Sequence, residues 1–101
     1  MKEDPAILLR LAAVSAQRVA LHLEQGDHKS LGTSMERLSF ATSRVLESHR
    51  PHALAYRLAV ELKARAHRCV FPLPPYDGRD HLGQLRATIE KALAAADRVA
   101  P

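Results

Sequence analysis

Apolar residues recur at three- and four-residue spacing along most of the chain, which is the period of an α-helix with one buried face. Leu8, Ala12, Ala16, Val19 and Leu23 form the first such stripe. Asp4 before Pro5 suits a helix start, because Asp accepts a bond from a free amide and Pro fills a first-turn position whose N–H is not needed. A first helix is therefore expected from about 5 to 25, ending at Gly26. The segment "GDHKSLG" reads as a loop, and Thr33 with Glu36 three residues later forms a capping box for a second helix over about 34 to 49. On that helix Leu38, Thr42, Val45 and His49 share an apolar arc, which Leu31 extends. Pro51 ends it and opens a third helix, about 51 to 70, with Ala55, Leu58, Leu62, Ala66 and Cys69 inward. "FPLPPYDG" cannot be regular, since its prolines remove donors and fix an extended path. Asp77 or Asp80 then caps a fourth helix to about 99, with Leu82, Leu85, Ile89, Ala92, Leu93, Ala96 and Val99 on one arc and Glu90, Lys91, Asp97 and Arg98 outside it. The pattern predicts an all-α fold: a small antiparallel four-helix bundle, residues 1–101 as one domain, with one tight turn, two longer connections and a proline-rich link before the last helix.

Two features do not fit a single buried face. The first helix carries a second stripe at heptad spacing, Ile7, Val14 and Leu21, set off from the first by Ser15, Arg18 and His22. Two stripes need two burying partners, so either this helix is central in the monomer or the second stripe is an oligomer contact. Phe40 falls opposite the arc of its own helix, among Glu36, Arg44 and Glu47. Either another helix covers it, or it anchors a partner.

Composition narrows the class. At 101 residues, 47% hydrophobic but only 4% aromatic and without Trp, the core must be built from Leu, Ala and Val, which suits helix against helix. The formal charge is +4, and eleven of the fifteen basic residues are Arg. That balance permits nucleic acid or an acidic partner without requiring either. One Cys forms no internal disulfide, and acids at positions 3 and 4 with Arg10 inside the first apolar run match neither a signal peptide nor a membrane span. The expected location is cytoplasmic, with no membrane partner.

The densest chemistry lies in "RAHRCVFPLPPYDGRDHL", residues 65–82. His67 and Cys69 are two apart on a helix and so diverge by about 160°, which prevents them from sharing a metal ion. Cys69 reads as a small core residue, and the segment as a stiff corner in which Phe71, Leu73 and Tyr76 cover the core ends. His49 and His52 are separated by Pro51, and His49 reads as a satisfied core histidine. "GDHKSLGTS" lacks the Gly-Lys-Ser/Thr ending and the preceding strand of a phosphate-binding loop. No metal, cofactor or catalytic residue is expected. On the third helix Arg57, Glu61, Arg65 and Arg68 form one stripe, which is either a solvated face with Glu61 bridging Arg57 and Arg65, or a surface for phosphates or an acidic protein.

Two short stretches resemble known families. "RVLESH", Arg44 to His49, resembles the Arg-x4-His motif of HEPN ribonucleases, small helical bundles whose Arg and His meet between two protomers. Val45 departs from the polar residue usual after the Arg, and regular helix geometry would hold Arg44 and His49 about 140° apart. "LEQGDHKSL" followed by "MERLSFATSRVL" resembles the helix, Gly-Asp turn and second helix of small flagellar export chaperones, with His28 where an aromatic is common. That likeness implies an interaction protein.

The expectation from sequence is thus a non-enzymatic, adaptor- or chaperone-like helical module that binds another protein. Its contact residues are Phe40, Arg44, Arg57, Arg65 and Arg68, and Ile7, Val14 and Leu21 form a homodimer contact if one exists. Nucleic-acid binding through the Arg stripe is the second class, and a HEPN-like ribonuclease the third.

Overall fold

The computed structural model describes residues 5–48, 53–71 and 79–99. They form four helices: α1 (Pro5–Gln25), α2 (His28–Ser48), α3 (Leu54–Val70) and α4 (His81–Val99). Residues 49–52, with His49 and Pro51, and residues 72–78, with Leu73, Tyr76 and Asp77, lie outside the described part, as does Asp4.

α1 ends where Gly26 takes φ +66°. The Gly26 amide donates to the Leu23 carbonyl at 3.2 Å and the Asp27 amide to the His22 carbonyl at 2.9 Å, a Schellman closure that only a residue tolerant of left-handed angles makes without strain. Asp27 then turns the chain straight into α2, its carboxylate accepting the Ser30 amide at 3.1 Å. The expected loop over 26–32 and the Thr33 cap are therefore corrected. α2 begins six residues earlier, at His28, and Thr33 sits inside the helix. The helix absorbs Gly32 because Asp27 caps it and Leu31 is buried in the core. Among the three connections this first one is the tight turn.

α3 starts behind Ala53, whose extended backbone (φ −67°, ψ 146°) makes no side-chain cap. α4 starts behind Asp80, which accepts the Gly83 amide at 2.9 Å through its side chain and the Gln84 amide at 3.0 Å through its carbonyl. Of the two caps the sequence offered, Asp80 serves.

The helices alternate in direction. Arg10 near the start of α1 pairs with Asp97 near the end of α4 at 2.5 Å, and Arg86 near the start of α4 pairs with Glu24 near the end of α1. His22 Nδ1 on α1 and the Ser34 hydroxyl on α2 are hydrogen-bonded at 2.7 Å, and the same hydroxyl lies 3.2 Å from the Ser30 carbonyl. The backbone of α1 approaches all three other helices closely, whereas those of α2 and α4 stay apart. The cross-section is thus a rhombus with α1–α3 as its short diagonal. Small side chains allow that approach: Ala12, Ala13 and Ala16 on α1 and Ala59 and Ala66 on α3 are fully buried.

Leu9, Leu38, Leu62 and Leu85, one from each helix, are the largest fully buried side chains. Thr42 and Thr88 are buried beside them and bond to carbonyls one turn back. Among the described residues no buried side-chain nitrogen or oxygen lacks a partner. Among the described residues the four helices supply the core.

Candidate interaction surfaces

α1 is central and still has a bare face. Ile7, Leu11, Val14 and Leu21 point away from the bundle, 63, 46, 37 and 46% exposed. The row continues onto α2 through Phe40, 63% exposed, which flanks a shallow groove of about 240 Å³ with Leu11, Ser15, Glu36 and Arg37. Phe40 is not covered by another helix of this chain. The Arg44 guanidinium lies 5.9 Å from its ring centroid, so the ring carries a cation on one side and faces solvent on another. Ser15, buried between α1 and α2, is satisfied by the Leu11 carbonyl at 2.8 Å and adds no polar demand to the groove floor. What results is an apolar strip of Ile7, Leu11 and Val14 that meets Phe40 across the α1–α2 groove, with Glu36 and Arg37 lining the groove and Arg18 at the next seam position before Leu21.

Sequence pattern picked out Ile7, Val14, Leu21 and Phe40 but not Leu11. The signal was present: Leu11 is four residues after Ile7 and three before Val14, the spacing that completes a seam.

A second surface lies between α3 and α4. Glu61, Ala64, Arg65 and Arg68 on α3 face Arg79, His81 and Gln84 at the start of α4 across a cleft of about 300 Å³. Arg65 is held on both sides, its Nε donating to Glu61 Oε1 at 2.9 Å and its Nη1 to Gln84 Oε1 at 2.8 Å. Glu61 Oε1 also lies 3.2 Å from the hydroxyl of buried Thr88, whose one proton is shared with the Gln84 carbonyl at 3.1 Å. The hydrogen bond from Arg65, helped by Thr88, holds the Glu61 carboxyl below its ordinary range against the opposing effect of burial.

The predicted Arg stripe is divided by this geometry. Arg65 and Arg68 line the cleft, while exposed Arg57 does not. Glu61 pairs with Arg65. Arg79, His81 and Gln84 were not foreseen, because their meeting with α3 depends on how α3 and α4 pack, which the pattern along either helix does not encode.

Compared with family models, with curated proteins and with solved structures, the chain matches none.

The remaining chemistry is sparse. Cys69 is half-buried, and burial, with the Asp80 carboxylate adding to it, pushes its thiol up, which makes it a poor nucleophile at neutral pH. Phe71 does not cover the core as expected: it is exposed and stacks at a tilt on His67, ring centroids 4.8 Å apart. Among the described residues no three His, Cys, Asp or Glu side chains are grouped to hold a metal ion. Of the Arg-x4-His motif, Arg44 lies on α2 beside Phe40, and His49 is outside the described residues.

Proposed function

We propose that this chain is a non-catalytic module that binds another protein through the α1–α2 face, with Phe40 as the anchor and Ile7, Leu11, Val14 and Leu21 as the flanking row. The observation that supports it is the run of exposed Ile7, Leu11 and Val14 at seam spacing on α1, with Leu21 beyond Arg18 and with Phe40 of α2 beside Leu11 in the groove. Scattered apolar residues are normal on a surface, but an aligned row with a bare aromatic is the usual composition of a binding patch. Arg44 beside the ring and Arg37 at its edge supply a polar rim. The partner is a different protein or a second copy of this chain, and the reading places it in the cytoplasm, where a single half-buried thiol stays reduced.

The test is capture by the tagged protein from its native cells with nuclease present, alongside light scattering of the purified chain. Leu11→Gln/Phe40→Gln is expected to abolish the complex, hetero- or homomeric, while Arg57→Gln, on an exposed face elsewhere, leaves it intact. An association that survives Leu11→Gln/Phe40→Gln, or one abolished by nuclease, would overturn the proposal.

A further inference from the structure

The α1–α2 face carries opposite charges as well as apolar side chains. Phe40 lies against Leu11 and Ser15 in the groove, which sets it level with Val14. The two helices run antiparallel, so one turn toward the end of α1 and one turn toward the start of α2 bring Arg18 level with Glu36. Both are exposed, and among the described residues neither is engaged in an ion pair or a hydrogen bond. Arg37, exposed beside Glu36 in the groove, adds a second cation at that level.

A partner that covers the row from Ile7 to Leu21 takes Arg18 out of water with it, and a covered cation is tolerated only opposite a counter-charge. α1 offers none, because its one carboxylate, Glu24, is held by Arg86 of α4. Packing α1 on α1 of another copy would therefore leave Arg18 without a carboxylate. α2 does offer one, Glu36.

We propose, on the reading of this face as a binding surface, that it takes a second copy of this chain about a two-fold axis parallel to the helices, with α1 of each copy lying on α2 of the other. Rotation about such an axis leaves height along it unchanged. Arg18 of each copy then meets Glu36 of the other, and Phe40 of each lies on Leu11 and Val14 of the other, so one patch completes itself twice, as an isologous contact requires. Charges of both signs on one face fit a self-complementary partner better than a uniformly acidic or basic one. The size fits as well. Each helix has 21 residues and is about 30 Å long, and two neighbours span about 20 Å, which gives roughly 600 Å² per copy. Both copies together bury about 1,200 Å², the lower end of a stable interface, so the dimer is one of moderate strength.

Charge reversal tests the arrangement. Sedimentation equilibrium of the wild-type chain should show a dimer that dissociates in the micromolar range. Arg18→Glu sets carboxylate against carboxylate at both contacts, and Glu36→Arg sets cation against cation. Each variant alone should dimerise at least about tenfold more weakly than wild type. Mixed in equal amounts, the two should form a heterodimer, since every contact then joins a carboxylate to a guanidinium, and native mass spectrometry identifies it. Circular dichroism confirms that both are folded, and Arg18→Asp with Glu36→Lys is the replacement pair should either lose helicity. Variants that dimerise alone as tightly as wild type, or folded variants that stay apart when mixed, would overturn the proposal. A wild-type chain that is monomeric at high micromolar concentration, while Leu11→Gln/Phe40→Gln abolishes capture of another protein, overturns the second copy and leaves the face as a site for a different chain. A dimer indifferent to Leu11→Gln/Phe40→Gln overturns both.

Discussion

Single residues carry more of this structure than their exposure suggests. Glu61 is held below the ordinary glutamate value of about 4.5, first by the Arg65 hydrogen bond and then by Thr88. A carboxylate depressed in the folded state stabilises the protein above its unfolded value, and the contribution is lost as pH falls through the folded one. Glu61→Gln should therefore melt lower than wild type at neutral pH, and the gap should close as pH drops below the usual glutamate range. Thermal melts followed by circular dichroism across that range check it; a gap independent of pH would remove the charge from the explanation. The residue scale is also where sequence reading went furthest wrong. Asp27 looked like part of a loop because His28, Lys29, Ser30 and Gly32 follow it, and no local pattern told that its side chain caps a helix running through all of them.

At the scale of the helix, α1 and α4 were legible because their ends are marked by residues with one physical use: Pro5 at an N-terminus, Gly26 at a left-handed angle, Asp80 as a cap. α2 was not, since Gly32 breaks the helical pattern without breaking the helix. A Cβ at Gly32 would meet nothing within 4 Å, so Gly32→Ala should raise stability by about 0.5–1 kcal/mol. Urea unfolding decides, and a loss of stability would mean that the helix start is misplaced. The two stripes of α1 were legible as a pair, but pattern could not say whether the second was buried. Geometry answers for the monomer: the Ala-rich side meets three helices, and Val14 remains at the surface. Val14→Glu should accordingly keep its helical circular dichroism, and in light scattering it should be monomeric. Loss of helicity would return Val14 to the core.

Across the whole molecule, the helix period established the architecture, four antiparallel helices around Leu9, Leu38, Leu62 and Leu85, because every helix, α1 with its second stripe included, carries an apolar arc at that period. The surfaces were only half legible. A seam can be read along one helix, so Ile7, Val14 and Leu21 stood out, whereas the neighbourhood of Phe40 and Leu11 needs the α1–α2 register. The basic cleft needs the α3–α4 register, which no helical period encodes. The account rests on the claim that the α1–α2 face is spare with respect to folding and so is available to a partner. Chemical unfolding of Leu11→Gln/Phe40→Gln against wild type, at concentrations where both are monomeric, tests that most directly. The two should agree within about 1 kcal/mol, as surface changes to a good helix former do. A loss of about 3 kcal/mol or more, the cost of truncating a core side chain, would show the face to be part of the core and contradict the account.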